Sequence, residues 1–306
     1  MGKLYRRWQA MGGNVRGSLI ILAASLVTVV MSALIKQIGQ TIPVFEILFI
    51  RQIIVLVFLF PVIVKYIDSV FVTPVFGYHM FRASMSVVAM YTGFTAVVYM
   101  PLAEVTAISF VRTLFTTILA IVFLKEVVGI RRWASVVVGF IGVVVIVRPD
   151  PENLNTYALF ALTSAFLVSA ITIVMRKLSQ VDNPSTIMAY QSIFITLAMA
   201  GPAAYQWVTP SVEEAFIILL IGILMSVMQW LFIQAFRVGE AAAIAPMEYS
   251  RLLYAAAIGI VFFAEVPTAW TLSGAAIIMA STLYTMHRNA VKKGERGDAG
   301  GISQGD

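Results

Sequence analysis

Ten runs of predominantly apolar residues set the terms on which this 306-residue chain can fold. They lie near 18–35, 44–64, 78–98, 102–124, 133–147, 156–175, 185–206, 215–236, 241–263 and 268–286. A helix that crosses a bilayer needs roughly 20 mostly apolar residues. All its backbone N–H and C=O groups must be bonded within the segment, because lipid offers no partners. Ten such helices consume most of the chain and leave short loops, so the expected fold is an all-α integral membrane protein. Composition agrees. Hydrophobic residues make up 60% of the chain and charged residues only 12%, with a mean hydropathy of +0.92, where a soluble domain carries about 25% charged residues. That shortage of charge all but excludes a soluble globular enzyme. Cys is absent and His occurs twice, as His79 and His287. No disulfide framework, thiol nucleophile or His/Cys zinc site fits that inventory, and neither a metal nor a cofactor is expected. The first run follows Arg6, Arg7 and Arg16 as a secretory signal would. Its length and the nine runs behind it make it a retained first helix.

The basic residues test the helix count. With the N-terminus in the cytoplasm, fifteen of the 21 Lys and Arg residues fall on inner loops and tails, among them Arg16, Lys65, Arg131, Arg132, Arg176, Lys177 and Arg237. Only Lys36 and Arg148 fall on the outer flanks, and Arg51, Arg82, Arg112 and Arg251 lie inside spans. Short loops rich in Lys and Arg stay in the cytoplasm. The count therefore expects a multi-pass protein of the cytoplasmic membrane with both termini inside. The net charge of +6 records this orientation, and nucleic acid is not an expected partner. Four segments follow: a basic N-terminal stretch over 1–17, two five-helix units over 18–147 and 148–287, and a Gly-rich charged tail over 288–306 that reads as disordered.

The two units match at an offset of 139 residues. Arg112 falls on Arg251, Leu114 on Leu253, Glu126 on Glu265, Ala96 on Ala235 and Gln52 on Gln191. Apolar matches are cheap in so hydrophobic a chain, and the scarce Arg and Glu carry the weight. An odd number of helices per unit forces the second unit to insert upside down relative to the first. Inverted repeats about a pseudo-two-fold axis are the build of many secondary transporters, with the site at the midplane.

The stretch Tyr99-Met-Pro-Leu-Ala-Glu-Val-Thr-Ala-Ile-Ser-Phe110 with Phe123-Leu-Lys-Glu126 resembles the first EamA repeat of the drug/metabolite transporter superfamily. Ala245-Pro-Met-Glu-Tyr249, Ala264-Glu-Val-Pro267 and Gly274 through Tyr284 resemble the second. The wording is most similar to the branch of S-adenosylmethionine and riboflavin carriers. The resemblance implies a cavity lined chiefly by helices 1, 3, 4, 6, 8 and 9, with helices 5 and 10 behind it.

Candidate site residues come from charges that should not be in lipid. Arg112 and Arg251 sit at the middle of helices 4 and 9, roughly 15–17 Å from either end, too deep to snorkel. A charge at the bilayer centre costs about 2.5–3.5 kcal/mol on insertion scales, so both arginines should face water, a carboxylate or carbonyls. Glu248 lies three residues before Arg251 on the same helix face. Tyr249 and Tyr254 flank Arg251, and with Tyr91 and Trp230 they offer faces for an aromatic ligand. Gln229 is a buried amide in need of a partner. Pro246 removes a donor near Glu248, and two readings stand level: a kink or local opening there, or a proline of the kind membrane helices tolerate without function. Glu104 and Glu248 are the candidates for proton coupling. Arg82 and His79 read as anchors near the inner end of helix 3. Arg51 and Glu46, five residues apart, lie on different faces and are not a pair. Glu126 and Glu265 read as structural helix-end markers.

The expected protein is thus a secondary carrier, not an enzyme. It would move a small amino-acid-, nucleoside- or vitamin-like metabolite across the bilayer, with a homodimer left open. The excess of buried arginine leans toward a ligand with an anionic group. A membrane-embedded enzyme and a helix-bundle scaffold or receptor subunit are the competing readings.

Overall fold

The computed structural model describes residues 12–124, 130–148, 155–240, 244–281 and 283–284. Glu126, most of the basic N-terminal stretch and the Gly-rich tail lie outside the described residues. The described residues form helices throughout. Seven elements are long and apolar enough to cross a membrane, and two shorter apolar helices accompany them. With the interrupted α9 added to these nine, the helices in chain order are α1 (Gly13–Ile38), α2 (Val44–Lys65), α3 (Phe76–Tyr99), α4 (Leu102–Ser109 and Arg112–Leu124), α5 (Ile130–Val147), α6 (Thr156–Leu178), α7 (Pro184–Tyr205), α8 (Val212–Val238), α9 (a 3-10 segment Ala245–Tyr249, then Ser250–Phe263) and α10 (Ala269–Ser281). The ten expected helices are all present, and α1 begins five residues earlier than its apolar run.

Local chemistry marks the helix ends. Asn155 caps α6 by accepting from the N–H groups of Tyr157 and Ala158, Pro184 opens α7, and Ser211 forms a capping box with Glu214 at α8. Each device satisfies or removes donors that a helix start leaves unpaired. At the end of α9, Ala264 adopts a left-handed φ of 54° and the Glu265 N–H reaches back to the Gly259 carbonyl. This turn stops the helix and fixes where Glu265 points.

The packing repeats when the halves are exchanged. The most extensive helix contacts are α1 with α8 and α3 with α6, and exchange turns one pair into the other. α2 packs on α7 and α4 on α9, pairs that map onto themselves. The loops agree in detail. Gly39, Gln40, Thr41 and Ile42 donate to Ile35, Gln37, Ile38 and Ile38, and Ser179 to Asp182 repeat the pattern onto Met175, Lys177, Leu178 and Leu178. These loops are 140 residues apart, whereas the caps at Met100 and Gly239, which donate to Ala96 and Ala235, are 139 apart. The register therefore slips by one between α2 and α3. At the spacing of the loops, Arg51 falls opposite Gln191 and Gln52 opposite Ser192, not Gln191 as the constant offset has it.

All ten helices alternate between two ends of the bundle. At one, here the Glu265 end, lie the C-termini of α1, α3 and α9 and the N-termini of α4 and α10. At the other, the His79 end, the α2–α3 and α6–α7 connections meet. α5 and α10 approach each other closely through Gly142 and Gly274, where an added Cβ would stand 2.8 and 2.6 Å from the opposing backbone carbonyl.

Candidate functional site

A cavity of about 420 Å³ lies between the two halves, within the roughly 300–1,000 Å³ usual for small-molecule sites. α1, α3, α4, α6, α7 and α9 supply its walls. Helices 1, 3, 4, 6 and 9 were expected there. α7 joins them through Gln191, and among the described residues α8 contributes no lining side chain.

Arg112 and Arg251 both line this cavity. Their placement has a backbone cause. α4 is interrupted at Phe110 and Val111, where successive N–H groups bond three residues back instead of four, and Arg112 opens the second segment. α9 changes from 3-10 to α geometry between Tyr249 and Ser250, and Arg251 is the second residue of the new segment. The two breaks are 139 residues apart, at equivalent places in the two repeats. Pro246 stands at the start of the 3-10 segment that precedes the break in α9 and has no N–H to donate there. The break in α4 has no proline, and nothing in the sequence announced it. Short 3-10 passages inside helices mark hinges, and half-helix N-termini carry partial positive charge. Each arginine therefore stands at the start of a half-helix.

Arg251 donates to the Ser109 hydroxyl at 2.8 Å and lies 5.3 Å from the centre of the Phe110 ring, so α9 is tied to the segment of α4 just before Arg112. Arg251 is within electrostatic reach of both Arg112 and Glu248. Among the described residues no ion pair closer than 4 Å joins Glu248 to either arginine. Arg112 is exposed to the cavity, and its carbonyl accepts from Ser169 of α6 at 2.8 Å.

The other expected site residues lie off the cavity wall. Tyr249 packs edge-on to Phe110, and Tyr254 packs beside the core formed by Val29, Leu102 and Ala255. Tyr91 stacks on Phe45 with ring centres 4.2 Å apart. Gln229 is exposed on α8, not buried as expected, and Trp230 beside it is 59% exposed. Among the described residues, Phe94 is the one aromatic side chain lining the cavity. Glu104 stands at the Glu265 end, where it accepts from Thr271 at 3.1 Å.

Polar clusters close on either side of the cavity. At the Glu265 end, Glu265 pairs with Lys36 and accepts from the Leu102 N–H at 2.9 Å, while Lys36 donates to the Met100 carbonyl at 2.5 Å. One carboxylate thus joins α1 and α4 of the first half to the end of α9. The sequence reading gave Glu265 a structural place and missed this cross-half partnership. At the His79 end, His79 and Asp182 meet at 2.7 Å, Thr73 donates to the same Asp182 oxygen at 2.6 Å, and the Tyr190 ring stacks on the His79 ring. One turn deeper, Arg82 donates to the Gln191 carbonyl oxygen at 2.5 Å, so a buried charge is linked to a residue of the cavity wall. Anchoring by His79 and Arg82 in this structure runs through protein partners.

Comparison with known proteins places the chain in context. The profile of the EamA-like transporter family matches residues 15–148 and 155–286, once for each half. The chain is 30% identical to the S-adenosylmethionine uptake transporter of Rickettsia prowazekii (strain Madrid E), over 88% of this chain and 90% of the relative. It is 29% identical to the riboflavin transporter of Vibrio cholerae serotype O1 (strain ATCC 39315 / El Tor Inaba N16961), over 69% of this chain and 72% of that one. A solved crystal structure, 17% identical, superposes with a TM-score of 0.59 over 88% of this chain and 96% of its own. That likeness concerns the fold.

Proposed function

The chain belongs to the EamA-like transporter family, and from that premise we propose that it moves a small zwitterionic metabolite across the cytoplasmic membrane by alternating access of its two halves. The observation that carries this reading is one cavity holding Arg112 and Arg251 at equivalent helix breaks, with Glu248 in electrostatic reach. Two guanidinium groups near one carboxylate leave an excess of positive charge, which an anionic group of a ligand would balance. A planar guanidinium takes a carboxylate through two parallel hydrogen bonds. Glu248 lies off the cavity wall but in electrostatic reach of Arg251, and in this reading it offsets part of the pair's positive charge.

This pattern supports an amino-acid-bearing substrate of the S-adenosylmethionine kind over a flat neutral one of the riboflavin kind. The former offers a carboxylate together with cationic centres. The latter would depend on aromatic stacking, and Phe94 alone supplies a ring to the described cavity wall. The proposed orientation has the His79 end in the cytoplasm, following the excess of basic residues there. The Lys36–Glu265 cluster then closes the outer end, and opening it while closing the inner end completes the cycle. Family membership favours this carrier over the enzyme and scaffold readings.

Purified protein in proteoliposomes, given labelled S-adenosylmethionine and riboflavin in parallel, tests the proposal. Saturable uptake of S-adenosylmethionine, with riboflavin excluded or weakly carried, is expected. Uptake of riboflavin alone would overturn the substrate assignment. Transport of neither, with an unchanged metabolite profile in cells expressing the protein, would overturn the wider reading.

A further inference from the structure

Among the described residues, Arg51 is a fully buried charge with only weak, neutral partners. It lies on α2, seven residues after Val44, and is 3% exposed. Its guanidinium donates to the Met225 sulfur at 3.2 Å, the Met90 sulfur at 3.7 Å and the Gln52 side-chain oxygen at 3.4 Å. The Phe94 ring centre is 5.2 Å away, and the Nε donor is buried without a partner. No carboxylate stands within 4 Å among the described residues. Glu46, the acid nearest on the same helix, has one oxygen engaged by the Val208 N–H at 2.9 Å. Thioether sulfurs are weak acceptors. Taking a guanidinium out of water with so little return is strongly unfavourable. As packing alone, the position would be better filled by an apolar side chain of similar length.

What separates this charge from the cavity gives it a use. Met90 and Phe94 both touch Arg51 and both line the cavity wall. Methionine is unbranched and repacks easily, so rotation of Met90 would open a path from the cavity to the guanidinium. Depth matters too. Arg51 lies about 10 Å along α2 from its start, on the Glu265 side of the midplane pair. Arg82, tied to Gln191, lies on the His79 side. Arg51, the Arg112 and Arg251 pair, and Arg82 therefore stand at three levels between the Glu265 end and the His79 end.

We infer that Arg51 is a second carboxylate-binding station, occluded in this structure and uncovered when the cavity opens toward the Glu265 end. It receives the substrate carboxylate from Arg112 and Arg251 as the halves exchange. The inference rests on the carrier reading above, and two experiments separate their failures.

The first experiment needs no substrate. Right-side-out and inside-out membrane vesicles holding the full chain are treated with a membrane-impermeant sulfonated phenylglyoxal, and modified arginines are located by peptide mass spectrometry. Modification of Arg51 from the Glu265 side alone is expected. Modification from neither side, or from the His79 side alone, overturns the inference. The second uses Arg51→Met in proteoliposomes with labelled S-adenosylmethionine. The variant removes an unpaired buried charge, so its melting temperature should hold or rise. Its uptake should fall about tenfold or more, the worth of a charge-assisted contact. A stable variant with wild-type uptake overturns the inference. If the wild type carries no S-adenosylmethionine, the substrate assignment has failed and the labelling result alone decides the place of Arg51.

Discussion

Glu265→Gln should loosen the Glu265 end without dismantling the bundle. The glutamine keeps an oxygen for the Leu102 N–H, so the cap on α4 survives, but Lys36 loses its counter-charge and keeps only the Met100 carbonyl. Side-chain exposures of 9% for Lys36 and 19% for Glu265 make this a largely buried pair. Breaking a buried pair from one side costs about 3–5 kcal/mol, and the partial exposure of Glu265 argues for the lower end. The contact joins α1 to the tip of α9, so the loss is charged to the closed arrangement of this end and not to folding as a whole. About 3 kcal/mol shifts a two-state equilibrium by roughly a hundredfold toward the open form. The chain has no cysteine, so a single Ser32→Cys on the cavity wall reports access. Labelling by an impermeant maleimide from the Glu265 side should run up to about a hundredfold faster in the Glu265→Gln background. An unchanged rate with a lowered melting temperature would refute the reasoning and make the pair a folding contact only.

Other outcomes follow from the same contacts. Arg251→Lys should retain assembly and lose most uptake, because a point charge cannot hold both Ser109 and a planar carboxylate; wild-type kinetics in proteoliposomes would contradict this. Gly142→Ala should destabilise the fold by about 1–3 kcal/mol, since its Cβ would meet the Gly274 carbonyl at 2.8 Å. Ala264→Gly should stabilise by about 1 kcal/mol, because the left-handed φ of 54° burdens alanine and not glycine; thermal unfolding in detergent checks both. A reporter active only in the cytoplasm, fused after Asp306, should be active, and activity of a periplasmic reporter there would reverse the orientation.

The helix count, the repeat and the two arginines that share the cavity stand out in the sequence because each rests on a strong energetic rule. Apolar length dictates spans, and scarce charges in apolar runs stand out. Helix 4 shows where such reading stops. Its residues Ala107 to Thr113 contain no glycine or proline, so propensity predicts an unbroken helix, and only packing against α6 and α9 reveals the 3-10 passage. Aromatic placement was the weakest part. Tyr91, Trp230 and Tyr254 sit on helices at plausible depths, but which way a ring faces depends on neighbours that one sequence does not give. Arg51 was set aside because its only nearby acid lies on another face. Its isolation, visible once Met90 and Met225 are in place, is what makes it informative.

Pro246 and Ala107 occupy the same position in the two repeats, and the difference between them reaches beyond local geometry. Pro246, second in the 3-10 segment Ala245–Tyr249, has no N–H to donate, so that backbone bond is never available to α9. Alanine is the strongest helix former, and the interruption in α4 is held by contacts such as that from Ser169 to the Arg112 carbonyl. One joint is welded and the other is sprung. An inverted repeat of identical halves would have two end states of equal energy, each the mirror of the other. A single pyrrolidine ring on one side removes that degeneracy, so in the proposed cycle the two end states differ by a covalent feature of the second half.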